Sequence, residues 1–122
     1  MQLVDANVVL RYILGDNPAL SAKARHIIES HVVEVPMEVL CEVVFVLSSV
    51  YKIAPGEVGA ALQGFFEKTA CTLPHREVAL QALALFMRGR MDFVDCLLVG
   101  YKNVLNAEVY TFDVPLQKQL ST

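Results

Sequence analysis

The 122-residue chain lacks the features that define several common protein classes. No apolar run reaches the roughly 18 residues that a membrane span needs, and the N-terminus lacks the basic start of a signal peptide. The cysteines Cys41, Cys71 and Cys96 form no C-x-x-C pair, so neither a disulfide framework nor a zinc site is indicated. The net charge of -3 excludes a polycation. We expect a cytoplasmic protein, without a membrane partner, that forms one domain over residues 1–122.

Apolar residues, by contrast, are abundant. They make up 55% of the sequence, and the mean hydropathy is +0.47. An apolar excess of this kind suggests that part of the surface is buried against a partner chain. The predicted helices in residues 6–30 and 37–68 carry more apolar residues than one buried face needs, so they are the candidate contact surfaces.

Short apolar segments alternate with longer helical patterns along the chain. We interpret the segments as strands, at residues 2–4, 32–35, 71–73 and 108–111. They are apolar throughout and do not alternate with polar residues, which is typical of a parallel sheet covered on both faces. The sequence therefore predicts an α/β fold of three layers, α/β/α, with a central parallel sheet of four strands.

Acidic residues lie where such a sheet places function, near the carboxyl ends of its strands. Asp5 ends the first predicted strand, and Asp113 follows the fourth. Asp92 and Asp95 begin the helix that leads to the fourth strand, and their spacing puts them on one helix face. Glu42 lies inside the helix after the second strand. If strands one and four are neighbours, all five acids can converge at one edge of the sheet.

Each acid also has a purely structural explanation. Asp5 can cap the helix that follows it, and Asp113 can be a turn residue. Asp92 and Asp95 can form a capping box. Glu42 can belong to a solvated stripe, although Glu38 one turn earlier would repel it.

A metal ion explains the five acids together better than five separate caps do. Carboxylates brought together cannot all stay ionised without a counter-charge, and no lysine or arginine occurs at the predicted strand ends. A cluster that offers only oxygen atoms suits Mg²⁺ or Mn²⁺ and not zinc. The sequence therefore predicts a divalent-metal site.

Four segments, in this order and spacing, resemble PIN-domain nucleases, and more narrowly the VapC-type ribonuclease toxins of prokaryotic toxin–antitoxin pairs. The segments are LVDANVVLRY at residues 3–12, EVLCEVVFVL at 38–47, DFVDCL at 92–97 and TFD at 111–113. The resemblance implies a PIN-like fold and a catalytic metal site. Its acids would be those at the matching positions: Asp5, Glu42, Asp95 and Asp113, with Asp92 at a further acidic position.

The resemblance implies a Mg²⁺- or Mn²⁺-dependent endoribonuclease that hydrolyses RNA phosphodiester bonds. Asn7 and Thr111 match polar positions that hold carboxylates or water. Arg11, Arg88 and Arg90 are candidate contacts to RNA phosphates, although each alone is explained as an ordinary solvated charge. The family further implies a cognate antitoxin and a toxin homodimer. Its members usually have a fifth strand after the last helix, so we expect either that the sheet has four strands or that the chain is truncated before a fifth.

Other functions stay open at this stage. A PIN-like module that binds protein or RNA without catalysis would keep the fold, and a structural dimerisation module would bind no metal. A phosphotransfer receiver domain fits poorly because Asp5 has no adjacent acid and no aspartate follows Leu73-Pro74.

Overall fold

The computed structural model describes the whole chain, residues 1–122, and helices account for 66% of it. There are seven α-helices: α1 Ala6–Leu14, α2 Pro18–Ser30, α3 Met37–Phe45, α4 Pro55–Lys68, α5 Arg76–Phe86, α6 Phe93–Leu105 and α7 Val114–Leu120. A single turn of π-helix, Val46–Val50, extends α3 and is called the π segment below. None of the helices is both long and apolar enough to cross a membrane.

The helices begin and end at the residues whose local chemistry favours it. The Asn17 side chain accepts a hydrogen bond from the Leu20 N–H, and Pro18 starts α2 where its missing N–H costs nothing. Gly15 adopts a left-handed conformation, φ 63°, which ends α1. The predicted helical region at residues 6–30 therefore consists of α1 and α2.

The predicted central sheet is absent, and the α/β/α prediction is wrong. Only three residues are bridged: Leu3 pairs in parallel with Glu34, and Glu34 with Thr72. Four backbone hydrogen bonds support these bridges, including Glu34 N–H to the Gln2 carbonyl at 2.8 Å and Thr72 N–H to the Val33 carbonyl at 2.9 Å. A strand requires consecutive bridged residues. Each of these segments contributes only one, so none extends into a strand.

The fourth predicted strand does not pair with any other segment. Residues 108–111 make no backbone hydrogen bond to another part of the chain. The aromatic side chains in and next to this segment face solvent: Tyr110 is 88% exposed and Phe112 is 103% exposed. The β-propensity of this segment therefore does not produce a strand, because no neighbouring segment pairs with it.

The core is formed by helix packing. A continuous cluster of 25 buried apolar residues draws on α1 to α6 and on the bridged segments. Helix α6 lies against α5 at Gly100, where a Cβ atom would be 2.9 Å from the Val78 carbonyl oxygen. Glycine is thus required for this close approach of α6 to α5.

Candidate active site

The first turn of α6 presents two carboxylates to solvent. Phe93 and Cys96 are buried and define the side of α6 that faces the core. Asp92 and Asp95 lie off this side, so Asp92 is exposed and Asp95 is half-buried. Asp92 occupies the N-cap position that a capping box requires, but its side chain accepts no cap hydrogen bond. The capping-box explanation of this pair is therefore not realised in the structure.

Asp95 lies in a negative electrostatic environment. Its pKa is raised, first by partial burial of the carboxyl group and then by the charges of Asp92 and Asp113. No salt bridge compensates any of these three acids. The structure thus brings Asp92, Asp95 and Asp113 within electrostatic range of one another without a neutralising base.

Asp113 holds the start of α7 and keeps an oxygen atom free. Its Oδ2 accepts a hydrogen bond from the Leu116 N–H at 2.9 Å, while Oδ1 has no protein donor. Thr111 supports this turn, because its Oγ1 accepts a hydrogen bond from the Asp113 N–H at 3.0 Å. Gln117 Nε2 donates to the Thr111 carbonyl at 2.7 Å. The predicted supporting residue Thr111 therefore lies beside one of the predicted acids.

Asp5 and Glu42 lie on other helices, at the start of α1 and within α3. Asp5 caps α1, with its Oδ1 accepting a hydrogen bond from the Val8 N–H at 3.1 Å, as its structural explanation predicts. Glu42 is exposed on α3 and has no ion-pair partner. Neither contributes to the raised pKa of Asp95. Their helices nevertheless pack in series with the site, since α1 contacts α3, α3 contacts α6, and α6 contacts α7.

The donor atoms suit a hard divalent cation, but their spacing does not form a finished site. All candidate ligands are carboxylate oxygens, and the negative charge around Asp95 is uncompensated. No group of three or more histidine, cysteine, aspartate or glutamate side chains is close enough to hold a metal ion. The chemistry of the donor set therefore fits Mg²⁺ or Mn²⁺, and closure to coordination distance requires movement of the side chains.

The comparison with protein families decides the assignment. The family model described as PIN domain matches residues 3–118. The chain belongs to the PIN domain family. No curated protein and no solved structure matches it.

PIN domains are generally nucleases, so the family indicates a hydrolytic enzyme that acts on nucleic acid, with RNA as the suggested substrate. PIN nucleases typically use divalent metals. The family normally has a central sheet, and this PIN domain departs from it in the bridged segments described above.

Two thiols of this PIN domain have raised pKa values. Burial, followed by the charges of Asp95 and Asp92, raises the pKa of the Cys96 thiol to about 11. Burial, followed by the charge of Glu38, also raises the pKa of Cys41. Both thiols are therefore protonated at neutral pH and unreactive.

The arginine predicted next to Asp5 is already engaged within the chain. Arg11 Nη1 lies 2.7 Å from Asp16 Oδ1, and its Nη2 donates to the Tyr51 hydroxyl at 3.4 Å. Arg11 Nε donates to Asn7 Oδ1 at 3.2 Å, so the Asn7 amide faces this arginine and not a carboxylate. The other two predicted phosphate contacts, Arg88 and Arg90, are exposed and make no salt bridge.

A cavity of about 450 Å³ adjoins Asp92 and Asp95, and sequence reasoning missed it. It lies between the π segment and the start of α6. Its polar wall includes Ser48, whose Oγ is buried and has no hydrogen-bond partner. The pair Ser48-Ser49 within an apolar helix was the only signal in the sequence, because a π turn depends on packing and cannot be predicted from residue type.

Proposed function

We propose that this PIN domain is a Mg²⁺- or Mn²⁺-dependent endoribonuclease and that it acts as the VapC-type toxin of a toxin–antitoxin pair. The observation that carries the proposal is the negative charge at the start of α6, which no salt bridge compensates and where partial burial, followed by the charges of Asp92 and Asp113, raises the pKa of Asp95. Such a cluster is unfavourable for the protein alone and favourable for a protein that binds a cation.

Each acid has a proposed role in hydrolysis. Asp95 and Asp5 would be the principal ligands of the metal, and Glu42, Asp113 and Asp92 would complete the site. A bound divalent metal would lower the pKa of the attacking water and neutralise charge on the phosphate. Glu42 and Asp113 would orient that water toward phosphorus. Its oxygen bonds to phosphorus, the P–O bond to the ribose oxygen breaks, and the leaving oxygen takes up a proton.

Two supporting groups and three arginines complete the proposed site. Thr111 holds Asp113 through the hydrogen bond to its backbone N–H. Asn7 accepts a hydrogen bond from Arg11 Nε, and Arg11 contacts an RNA phosphate only after it releases Asp16 and Tyr51. Arg88 and Arg90, exposed just before Asp92, contact phosphates further along the strand.

Cleavage of labelled RNA by the purified protein tests the nuclease proposal. We expect cutting with Mg²⁺ or Mn²⁺, no cutting with chelator, and loss of cutting in Asp5→Asn. Because Asp5 also caps α1, the thermal stability of the variant has to be measured in parallel, and Asn is chosen because it is an equally good cap. Chelator-resistant cutting, or full activity in Asp5→Asn, would contradict the proposal.

The toxin role, with an antitoxin and a homodimer as partners, rests on the resemblance of the four segments and on exposed apolar side chains. Leu3, Tyr110, Phe112 and Val114 are all more than half exposed. Induced expression in a bacterial host is expected to arrest growth for the wild type and not for Asp5→Asn. Equal growth of both strains would remove the toxin role and leave the nuclease proposal standing.

A second candidate function is a PIN module that binds RNA or protein without catalysis. The observation in its favour is that no three acids lie at metal-binding distance. The two candidates differ in one measurement, because a silent module would bind RNA and leave it intact at every concentration of Mg²⁺ and Mn²⁺.

A further inference from the structure

The cavity next to Asp92 and Asp95 has the walls of a binding site for a flat, partly apolar ring. Its floor is formed by the buried side chains of Val44, Phe86 and Phe93, and the two phenylalanine rings meet edge to face with centroids 5.8 Å apart. Its rim is formed by Phe45, which is 64% exposed although its ring is large and apolar. The volume of about 450 Å³ lies within the range of about 300–1,000 Å³ that is usual for small-ligand sites.

One polar atom in this cavity lacks a partner. The Oγ of Ser48 is buried and makes no hydrogen bond. Buried polar groups in folded proteins are nearly always satisfied, so an unsatisfied hydroxyl in a cavity wall calls for a ligand or water. Ser48 lies in the π segment, and single π turns are frequent at functional sites.

We infer that this cavity binds a nucleobase of single-stranded RNA next to the scissile phosphate, with the base stacked on Phe45 and its edge hydrogen-bonded to Ser48 Oγ. The inference rests on the proposed nuclease function and adds a determinant of base preference to it. Stacking on exposed aromatic rings is how proteins hold unpaired bases. The hydroxyl offers one donor and its accepting lone pairs at a fixed place in the wall, so a base whose edge matches it there is bound more tightly than one whose edge does not.

Charge decides which part of a nucleotide enters the cavity. Asp92 and Asp95 lie at its wall and no basic side chain lines it, so a phosphate group is repelled from the interior. A base is uncharged and carries N–H groups that carboxylates accept. The base therefore enters the cavity, and its phosphate stays at the carboxylates, where a divalent metal would neutralise it.

Binding of four fluorescein-labelled RNA hexamers, each built from one base, tests this inference by fluorescence anisotropy in the Asp5→Asn background, which prevents cleavage. We expect the four affinities to span at least about tenfold. Phe45→Ala is expected to weaken the tightest hexamer about tenfold, the loss of one base stack. Ser48→Ala is expected to reduce the spread of the four affinities. Its loss of affinity for the tightest hexamer is expected to be smaller than that of Phe45→Ala.

Val50→Ala is the matched control, because Val50 is also 64% exposed in the π segment but does not line the cavity. It is expected to bind all hexamers as the parent does. Equal affinities for all four hexamers, or equal binding by Phe45→Ala and Val50→Ala, would overturn the inference. Neither result bears on cleavage by the wild type, so a failure here is distinct from a failure of the nuclease proposal.

Discussion

Two aspartates near helix ends lie in opposite electrostatic surroundings. Asp16 follows α1 and lies 2.7 Å from the guanidinium of Arg11, which is also bonded to Asn7 and Tyr51. Asp95, in the first turn of α6, has no basic partner, and its carboxyl group is instead influenced by Asp92 and Asp113. The charges around Arg11 and Asp16 neutralise each other, whereas the start of α6 keeps a negative charge that no basic side chain pairs with. That difference separates a structural ion pair from a candidate active site.

The largest effect is expected from neutralising the carboxylate that has no partner. Asp95→Asn is expected to reduce RNA cleavage by at least about 100-fold, because loss of a metal ligand exceeds the 10- to 100-fold cost of losing a residue behind one. Initial rates with labelled RNA and Mg²⁺ measure this. Glu67→Gln, an exposed acid on α4, is the control and is expected to keep full activity. Cleavage by Asp95→Asn at the wild-type rate would mean that Asp95, like Asp16, has no role in the reaction.

The second prediction moves the start of α6 without touching its acids. Gly100→Ala is expected to lower the free energy of unfolding by about 1–3 kcal/mol, because the new Cβ would lie 2.9 Å from the Val78 carbonyl oxygen. Gly64→Ala in α4 is the matched control, since nothing lies within 4 Å of its added methyl group. It is expected to raise stability by up to about 1 kcal/mol. Urea unfolding measures both, and equal values would contradict the close approach of α6 to α5.

The third prediction concerns the pH dependence of stability. Folding raises the pKa of Asp95, so the folded state loses stability as pH rises from the usual aspartate range through this raised pKa. Asp95→Asn removes the charge, and we expect it to be more stable than the wild type at neutral pH and equally stable at acid pH, where Asp95 is protonated in both states. Thermal unfolding across the pH range measures the difference. If Asp95→Asn were less stable than the wild type at neutral pH, the negative charge of Asp95 would have to be stabilised by another group of the protein.

The smallest effect is expected at the other aspartate. Asp16→Asn removes the salt bridge to Arg11, and both side chains are partly solvent-exposed. We expect a slight loss of thermal stability at low salt that disappears at high salt, because exposed pairs are screened. A loss that persists in high salt would mean that hydrogen bonds, and not charge, hold this corner.

The helices could be predicted well because their ends are set by neighbouring residues. Asn17 and Pro18 start α2, and Asp113 starts α7, through contacts that span no more than three positions. The sheet prediction failed for the opposite reason. The segment at residues 108–111 has the composition of a strand, but pairing depends on distant neighbours that do not lie beside it.

The candidate site was predicted in part. Asp92, Asp95 and Asp113 were expected to share a location, and the structure brings them into electrostatic range. Convergence of Asp5 and Glu42 with them was inferred from a sheet that is absent, so their place in the metal site stays a prediction. The pairing of Arg11 with Tyr51, 40 residues away in sequence, had no signal in either residue.

The sequence by itself determined where the carboxylates fall along the chain and which of them begin helices, because capping is chemistry between residues three or four apart. Only the tertiary structure decided which carboxylates influence one another, which arginine is already neutralised, and that an unpaired hydroxyl lines a cavity beside Asp95. These depend on distances between helices that are remote in sequence, and such distances are set by the packing of the whole core.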